Sequence, residues 1–122
     1  MPDLRLALAA ALALLAATPA VAGAAPRAET GLAAYYRDDL RGSRTASGQP
    51  YDPTRLTCAH RSHPFGAWLE VVNLENGRKV RVMVNDRGPW TRGRVVDLSR
   101  EAARQLGMLK RGTARVRVVR VT

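Results

Sequence analysis

Hydrophobic and polar residues alternate most cleanly between Trp68 and Val84. Two runs there, Trp68–Leu74 and Lys79–Val84, are rich in β-branched residues, and the Asn76-Gly77 pair between them is the kind that hairpin turns favour. Val80, Val82 and Val84 alternate with Arg81 and Met83, so the second strand of this hairpin has one apolar face. The alternation in Gly31–Asp39 predicts a first strand, with Ala33 and Tyr35 on one face and Ala34 and Tyr36 on the other. Gly93–Ser99 predicts a further short strand. Gly112–Thr122 predicts the last one, with Val116 and Val118 on one face and a bulge at the adjacent pair Val118-Val119. Only one segment carries helix signals: Ser99 as N-cap, Glu101 in the first turn, Gly107 as the stop, and Ala102, Ala103 and Leu106 as a packing face. Residues 40–56 are dense in Gly, Ser, Thr and Pro and predict a long loop, a type that is usually functional or disordered. Many short strands with one small helix point to a small β-barrel, in which closure removes exposed edges.

The N-terminus follows a different pattern. Arg5 precedes an apolar run from Leu6 to Ala17, Thr18-Pro19 breaks it, and Ala20-Val21-Ala22 supplies an A-x-A site. This predicts a secretory signal peptide over residues 1–22, since the apolar run is shorter than the ~20 residues that span a bilayer. Residues 23–30 are then expected to be a flexible lead, and residues 31–122 one domain, held by no stable membrane anchor after cleavage. No cysteine follows the apolar run, so lipidation at a new N-terminus is not expected. The single cysteine, Cys58, has no partner for an internal disulfide and reads as a small buried apolar residue.

Charge narrows the partners. The 122-residue chain carries 20 Lys+Arg against 10 Asp+Glu, a formal net charge of +10. An exported basic protein meets cell-wall carboxylates, anionic lipid surfaces or nucleic acid. Nucleic acid is the least favoured, because the chain has few aromatics to stack bases.

Candidate chemistry gathers where the hairpin ends, at Val84-Asn85-Asp86-Arg87-Gly88-Pro89-Trp90. A strand that breaks into a Gly-Pro turn holds a carboxylate on rigid backbone at the rim of a sheet. On the residues alone Asp86 reads first as a turn residue that accepts backbone N–H groups, and second as a candidate for proton transfer. Trp90 adds an aromatic face beside it. His60 and His63 form an i, i+3 pair with no further ligands at metal-site spacing, so no metal or other cofactor is expected. Asp52 either supplies a second carboxylate or opens the turn at Tyr51-Asp52-Pro53-Thr54.

Several separated segments, Thr45–Asp52, Thr57–His60, Val72–Trp90, Gly93–Ser99 and Ala103–Leu109, together resemble the rare lipoprotein A family in order and spacing. The resemblance implies an all-β fold, a small six-stranded double-psi β-barrel with one short helix, shared with expansins, barwin-like domains and related endoglucanases. It also implies a peptidoglycan substrate, since active members are lytic transglycosylases that prefer glycan strands lacking stem peptides. Family members are typically lipoproteins and many carry a C-terminal SPOR domain; the chain is expected to have neither. The groove residues implied by the family fall on Gln49, His60 and Asp86, with His60 positioning Asp86 or bonding the sugar.

A lytic transglycosylase needs one carboxyl that acts as acid and then as base, because the C6 hydroxyl of the muramic acid is the nucleophile. Gln49 stands where the family has a glutamate. It can hydrogen-bond a glycan but cannot carry a proton, which leaves open a second reading as an expansin-like module that binds glycan without cutting it. Arg44, Arg87, Arg92 and Arg94 flank the proposed groove and are expected to read the lactyl carboxylates of denuded strands. A monomer in the periplasm or cell envelope is the expected state.

Overall fold

The computed structural model describes residues 27–122; the expected signal segment and most of the lead lie outside the described residues. Six strands close into a barrel: β1 (Glu29–Tyr35), β2 (Thr57–Ala59), β3 (Trp68–Asn73), β4 (Lys79–Asp86), β5 (Arg94–Leu98) and β6 (Ala114–Arg120). Their order around the barrel is β1-β5-β2-β4-β3-β6, with β1–β5 and β2–β4 parallel and the other pairs antiparallel. The helix α1 (Arg100–Gln105) packs Ala102 and Ala103 into the core, and Ser99 caps it by accepting from the Ala102 N–H at 3.2 Å. This is the all-β barrel with one short helix that patterning and resemblance led us to expect.

The hairpin β3–β4 forms in the predicted register, with Val80, Val82 and Val84 turned inward against Leu69 and Val71. Gly77, at φ 79°, takes the left-handed position in the connecting turn, and the Asn73 carbonyl accepts its N–H at 2.7 Å. These side chains join Val96, Leu98, Val116, Val118, Leu106 and Met108 in one core. Cys58 lies in it fully buried, as its reading as a small apolar residue anticipated.

Three features differ from the pattern reading. β1 starts at Glu29, inside the expected lead, because Glu29 and Thr30 already pair with Val118 and Arg117 of β6. β2 had no sequence signal: three residues buried on both faces show no alternation to read. The bulge expected at Val118-Val119 is absent, since β6 stays in register with β3 through both residues and Val119 simply faces outward. The register shifts lie elsewhere, between Leu32 and Ala33 on the β1–β5 pair and between Cys58 and Ala59 on the β2–β4 pair.

The second shift determines where the chemistry sits. Cys58 pairs with Val84 but Ala59 pairs with Asp86, so Asn85 is the extra residue of a bulge. Under strict alternation Asp86 would follow Val80, Val82 and Val84 into the core. The inserted residue reverses the parity, leaving Val84 and Asn85 buried and Asp86 half-buried on the outer side. The β5 shift does the same for Asp97, after two consecutive buried residues, Val95 and Val96.

Close packing at β1 yields a stability prediction. A Cβ added at Gly31 would lie 2.5 Å from Val95 Cγ1 and 3.0 Å from the Gly93 carbonyl oxygen. Gly31→Ala is therefore expected to destabilise the barrel by about 1–3 kcal/mol, the usual cost of overpacking a tight site, readable as a lowered denaturant midpoint. An unchanged midpoint would show that β1 and β5 separate freely there.

Candidate active site

Strands β1, β5, β2 and β4 lie side by side, and their outer faces form the floor of a cleft of about 380 Å³. Ala34, Asp97, Ala59 and Asp86 line it, one from each strand, together with Tyr36, Arg87 and Arg94. Ala59 is the register partner of Asp97 on one side and of Asp86 on the other. The two carboxylates thus flank a methyl group from strands whose backbones are roughly 10 Å apart, twice the spacing of neighbouring strands.

Asp86 is held by three donors. Its Oδ1 accepts from the Ala46 N–H at 2.8 Å and from the Arg87 N–H at 2.9 Å, and its Oδ2 accepts from the Tyr36 hydroxyl. A carboxylate oxygen has about two acceptor positions, so Oδ1 is filled and Oδ2 keeps one free. Tyr36 stacks on Tyr51 with ring centroids 4.4 Å apart, and the Tyr51 hydroxyl accepts from the Arg100 N–H at 3.1 Å. Burial pushes the Tyr36 phenol far above its ordinary value, and the bond to Asp86 adds to the shift, so Tyr36 remains a donor across the working pH range. The sequence reading placed Asp86 beside Trp90; the structure surrounds it with donors instead and leaves Trp90 73% exposed beyond the Gly88-Pro89 turn.

The long loop is docked to this rim. Ser47 N–H donates to the Asn85 carbonyl at 3.2 Å, and Asn85 Nδ2 donates to Gln49 Oε1 at 3.3 Å. Thr45 holds the loop shut, its N–H and hydroxyl both donating to the Gln49 carbonyl, at 2.9 and 2.6 Å. Gln49 is thereby tied to Asn85, the residue before Asp86, although it does not itself line the cleft.

His60 is not brought to the same place. Its backbone N–H donates to the Asp86 carbonyl at 3.1 Å, but its ring is buried in a separate pocket with Glu29 and His63. Nδ1 accepts from the Ser62 and His63 N–H groups, both at 3.1 Å, which leaves Nε2 as the donor to Glu29 Oε1 at 2.7 Å. Both ring nitrogens are occupied, so neither is free for sugar or metal.

Arg87 is also turned away from the cleft's centre. It sits over the Phe65 ring at 4.1 Å and donates to the carbonyls of His60 and His63 at 3.2 and 2.8 Å. It braces the loop after β2 against the end of β4. Arg94 pairs with Asp97 at 2.5 Å. Arg44 and Arg92 are exposed and form no ion pair among the described residues. Asp52 opens its turn, accepting from the Thr54 N–H at 2.9 Å and hydroxyl at 2.7 Å, and these bonds hold its carboxyl below the usual range.

The sequence reading missed Tyr36, Ala46, Asp97 and Glu29. Tyr36 and Asp97 carry a parity signal, each being the outward residue beside a core residue. Ala46 acts through its backbone, and no side-chain pattern reports that.

A closed six-stranded barrel of mixed pairing with one short helix defines a protein of the double-psi barrel class. The family described as lytic transglycolase matches residues 28–118, and the chain belongs to it. It is 52% identical over 90 residues to a probable endolytic peptidoglycan transglycosylase RlpA of Nostoc sp., covering 72% of this chain and 24% of that protein. It is 46% identical over 91 residues to the endolytic peptidoglycan transglycosylase RlpA of Pasteurella multocida, covering 75% of this chain and 31% of that one. The chain thus spans only about a quarter to a third of these relatives. Among solved structures, the Streptomyces papain inhibitor superposes with a TM-score of 0.64 at 29% identity, over 80% of this chain and 97% of the inhibitor. An expansin of Clavibacter michiganensis, solved as a point mutant in complex with cellohexaose, gives 0.62 at 25% identity, over 79% of this chain and 51% of the expansin.

The buried hydroxyls and thiol set an alkaline limit. Burial raises Tyr36, Tyr51 and Cys58 above their ordinary values of 10.0, 10.0 and 9.0. Their protonated forms stabilise the folded state fully below those unfolded values, and that contribution is lost as pH rises past them. The melting temperature is expected to hold to about pH 9 and fall above it, more shallowly in Tyr36→Phe. A flat profile to about pH 11 would mean these groups ionise without cost in the fold.

Proposed function

We propose that this barrel is a lytic transglycosylase domain that cuts the MurNAc–GlcNAc β-1,4 bond of peptidoglycan, prefers strands lacking stem peptides, and leaves 1,6-anhydro ends. The observation that carries the reading is the bulge at Asn85, which turns Asp86 into the cleft and leaves one position free on Oδ2. In this reading the Asp86 carboxyl gives its proton to the glycosidic oxygen as the bond from C1 to that oxygen breaks. The C6 hydroxyl then closes on C1 and returns its proton to Asp86. Asp97, across Ala59, faces the positive charge that develops on the sugar ring. The relatives named as peptidoglycan transglycosylases support the substrate, and an expansin of this fold solved in complex with cellohexaose supports a linear β-1,4-linked glycan as the ligand class.

Around this centre, Gln49 bonds a glycan hydroxyl or acetamido group, Trp90 supplies a stacking face, and Arg44 and Arg92 read lactyl carboxylates. His60 is a positioning residue, holding the strand end through its backbone. The protein acts as a monomer in the periplasm or cell envelope after signal cleavage. The second reading, a binding module that does not cut, rests on Gln49 standing where the family has a glutamate.

The test is to incubate the protein with amidase-treated and intact peptidoglycan and to identify soluble products by mass spectrometry. Anhydro-ended fragments are expected from the denuded material, lost in Asp86→Asn and strongly reduced in Asp97→Asn. Tyr36→Phe is expected to slow turnover about 10- to 100-fold, the worth of a hydrogen bond to a charged group. Salt-sensitive binding without products, with cleavage appearing in Gln49→Glu, would establish the binding-module reading instead.

A further inference from the structure

The half of the barrel opposite the cleft has a chemistry of its own. In the circular strand order β3 lies diametrically across from β5, the strand of Asp97. On the outer faces of β4 and β6, on either side of β3, stand Lys79 and Arg81, and Arg115 and Arg117, all exposed. None of the four forms an ion pair among the described residues. One carboxylate shares the face, Glu70, register partner of Arg81 and Val119. The nearby Glu75 is committed to Arg111.

Apolar groups are set among these cations. Val72 lies between Lys79 and Arg117, its register partners on the two sides. Trp68 is 38% exposed at one end of β3, and Leu74, 48% exposed, follows the other end.

We propose that the outer face of β4, β3 and β6 docks on an anionic lipid bilayer. The cations spread in two dimensions over three strands, which suits a surface of negative headgroups, whereas a single glycan strand offers its charges along one line. An exposed tryptophan and aliphatic side chains among arginines are the groups that settle at the boundary between headgroups and acyl chains. Each basic residue near such a surface adds attraction that dies away within a Debye length. Docking this way points the Asp86 cleft away from the lipid. The proposal does not depend on the cleft's activity.

The experiment is co-sedimentation of the protein with vesicles of phosphatidylglycerol and phosphatidylethanolamine, against phosphatidylcholine vesicles. Binding is expected to the anionic vesicles only, released by high salt, and about 30-fold weaker in the double variant Arg81→Ser with Arg117→Ser. Arg41→Ser with Arg55→Ser, which removes equal charge from exposed positions elsewhere, should bind as the unaltered protein does. In Trp90→Phe, Trp68 is the sole remaining tryptophan, and its emission should shift to the blue on anionic vesicles, a readout that needs no charge variant to fold. Equal loss in the two double variants would reduce the effect to net charge and overturn the proposal. So would an unshifted Trp68, or capture of duplex DNA or denuded glycan through Arg81 and Arg117 while vesicles are ignored.

Discussion

The site depends on one inserted residue. Strand side chains alternate with a period of two, and a barrel this small has an inside and an outside with nothing between. Without Asn85 as the bulge, Asp86 would be the fourth in a row of inward positions after three valines, a bare carboxylate in an apolar core. Burial of that kind is prohibitive. The bulge converts an impossible position into a rim position and leaves the backbone before it fully packed. The same device on β5 sets Asp97 beside it, so two independent parity shifts supply the two acidic walls of one cleft.

Much of the fold was legible because the signals were local. The β3–β4 hairpin, α1 with its Ser99 cap, and the closing strand each carry their own period, turn residue or cap within a dozen positions. β2 was not legible, since three residues buried between β4 and β5 carry no period, and its existence follows only from closing the barrel. The bulges were illegible for a related reason. A pair such as Val118-Val119 looks like a slip but is an outward valine in register, while the true slips at Asn85 and Val95 depend on which strand lies alongside.

The site was legible in its residues more than in its geometry. Gln49 reaches Asn85, the neighbour of Asp86, and the loop that carries it donates the Ala46 N–H to Asp86. His60 and Arg87 stand close to Asp86 in the chain's folding but face elsewhere: the imidazole is locked between Glu29 and two backbone N–H groups, and the guanidinium ties down two carbonyls. Both residues stiffen the backbone on which Asp86 is mounted, which is a different task from touching substrate. Glu29, which anchors His60, belonged to a segment whose composition suggested a free lead, and only its pairing with β6 gives it a place.

Two of the three donors that hold Asp86 come from distant parts of the chain, Ala46 being 40 residues away and Tyr36 being 50. Tyr36 in turn leans on Tyr51, whose hydroxyl receives the first N–H of α1. The carboxylate is thus wired to the end of β1, the docked loop and the helix at once, and its only local donor is the Arg87 N–H. A chain that is still threading, or that has lost its helix, presents Asp86 as an ordinary surface acid. The donor set around Asp86 is therefore complete only in the fully closed barrel, and any partly folded form lacks it.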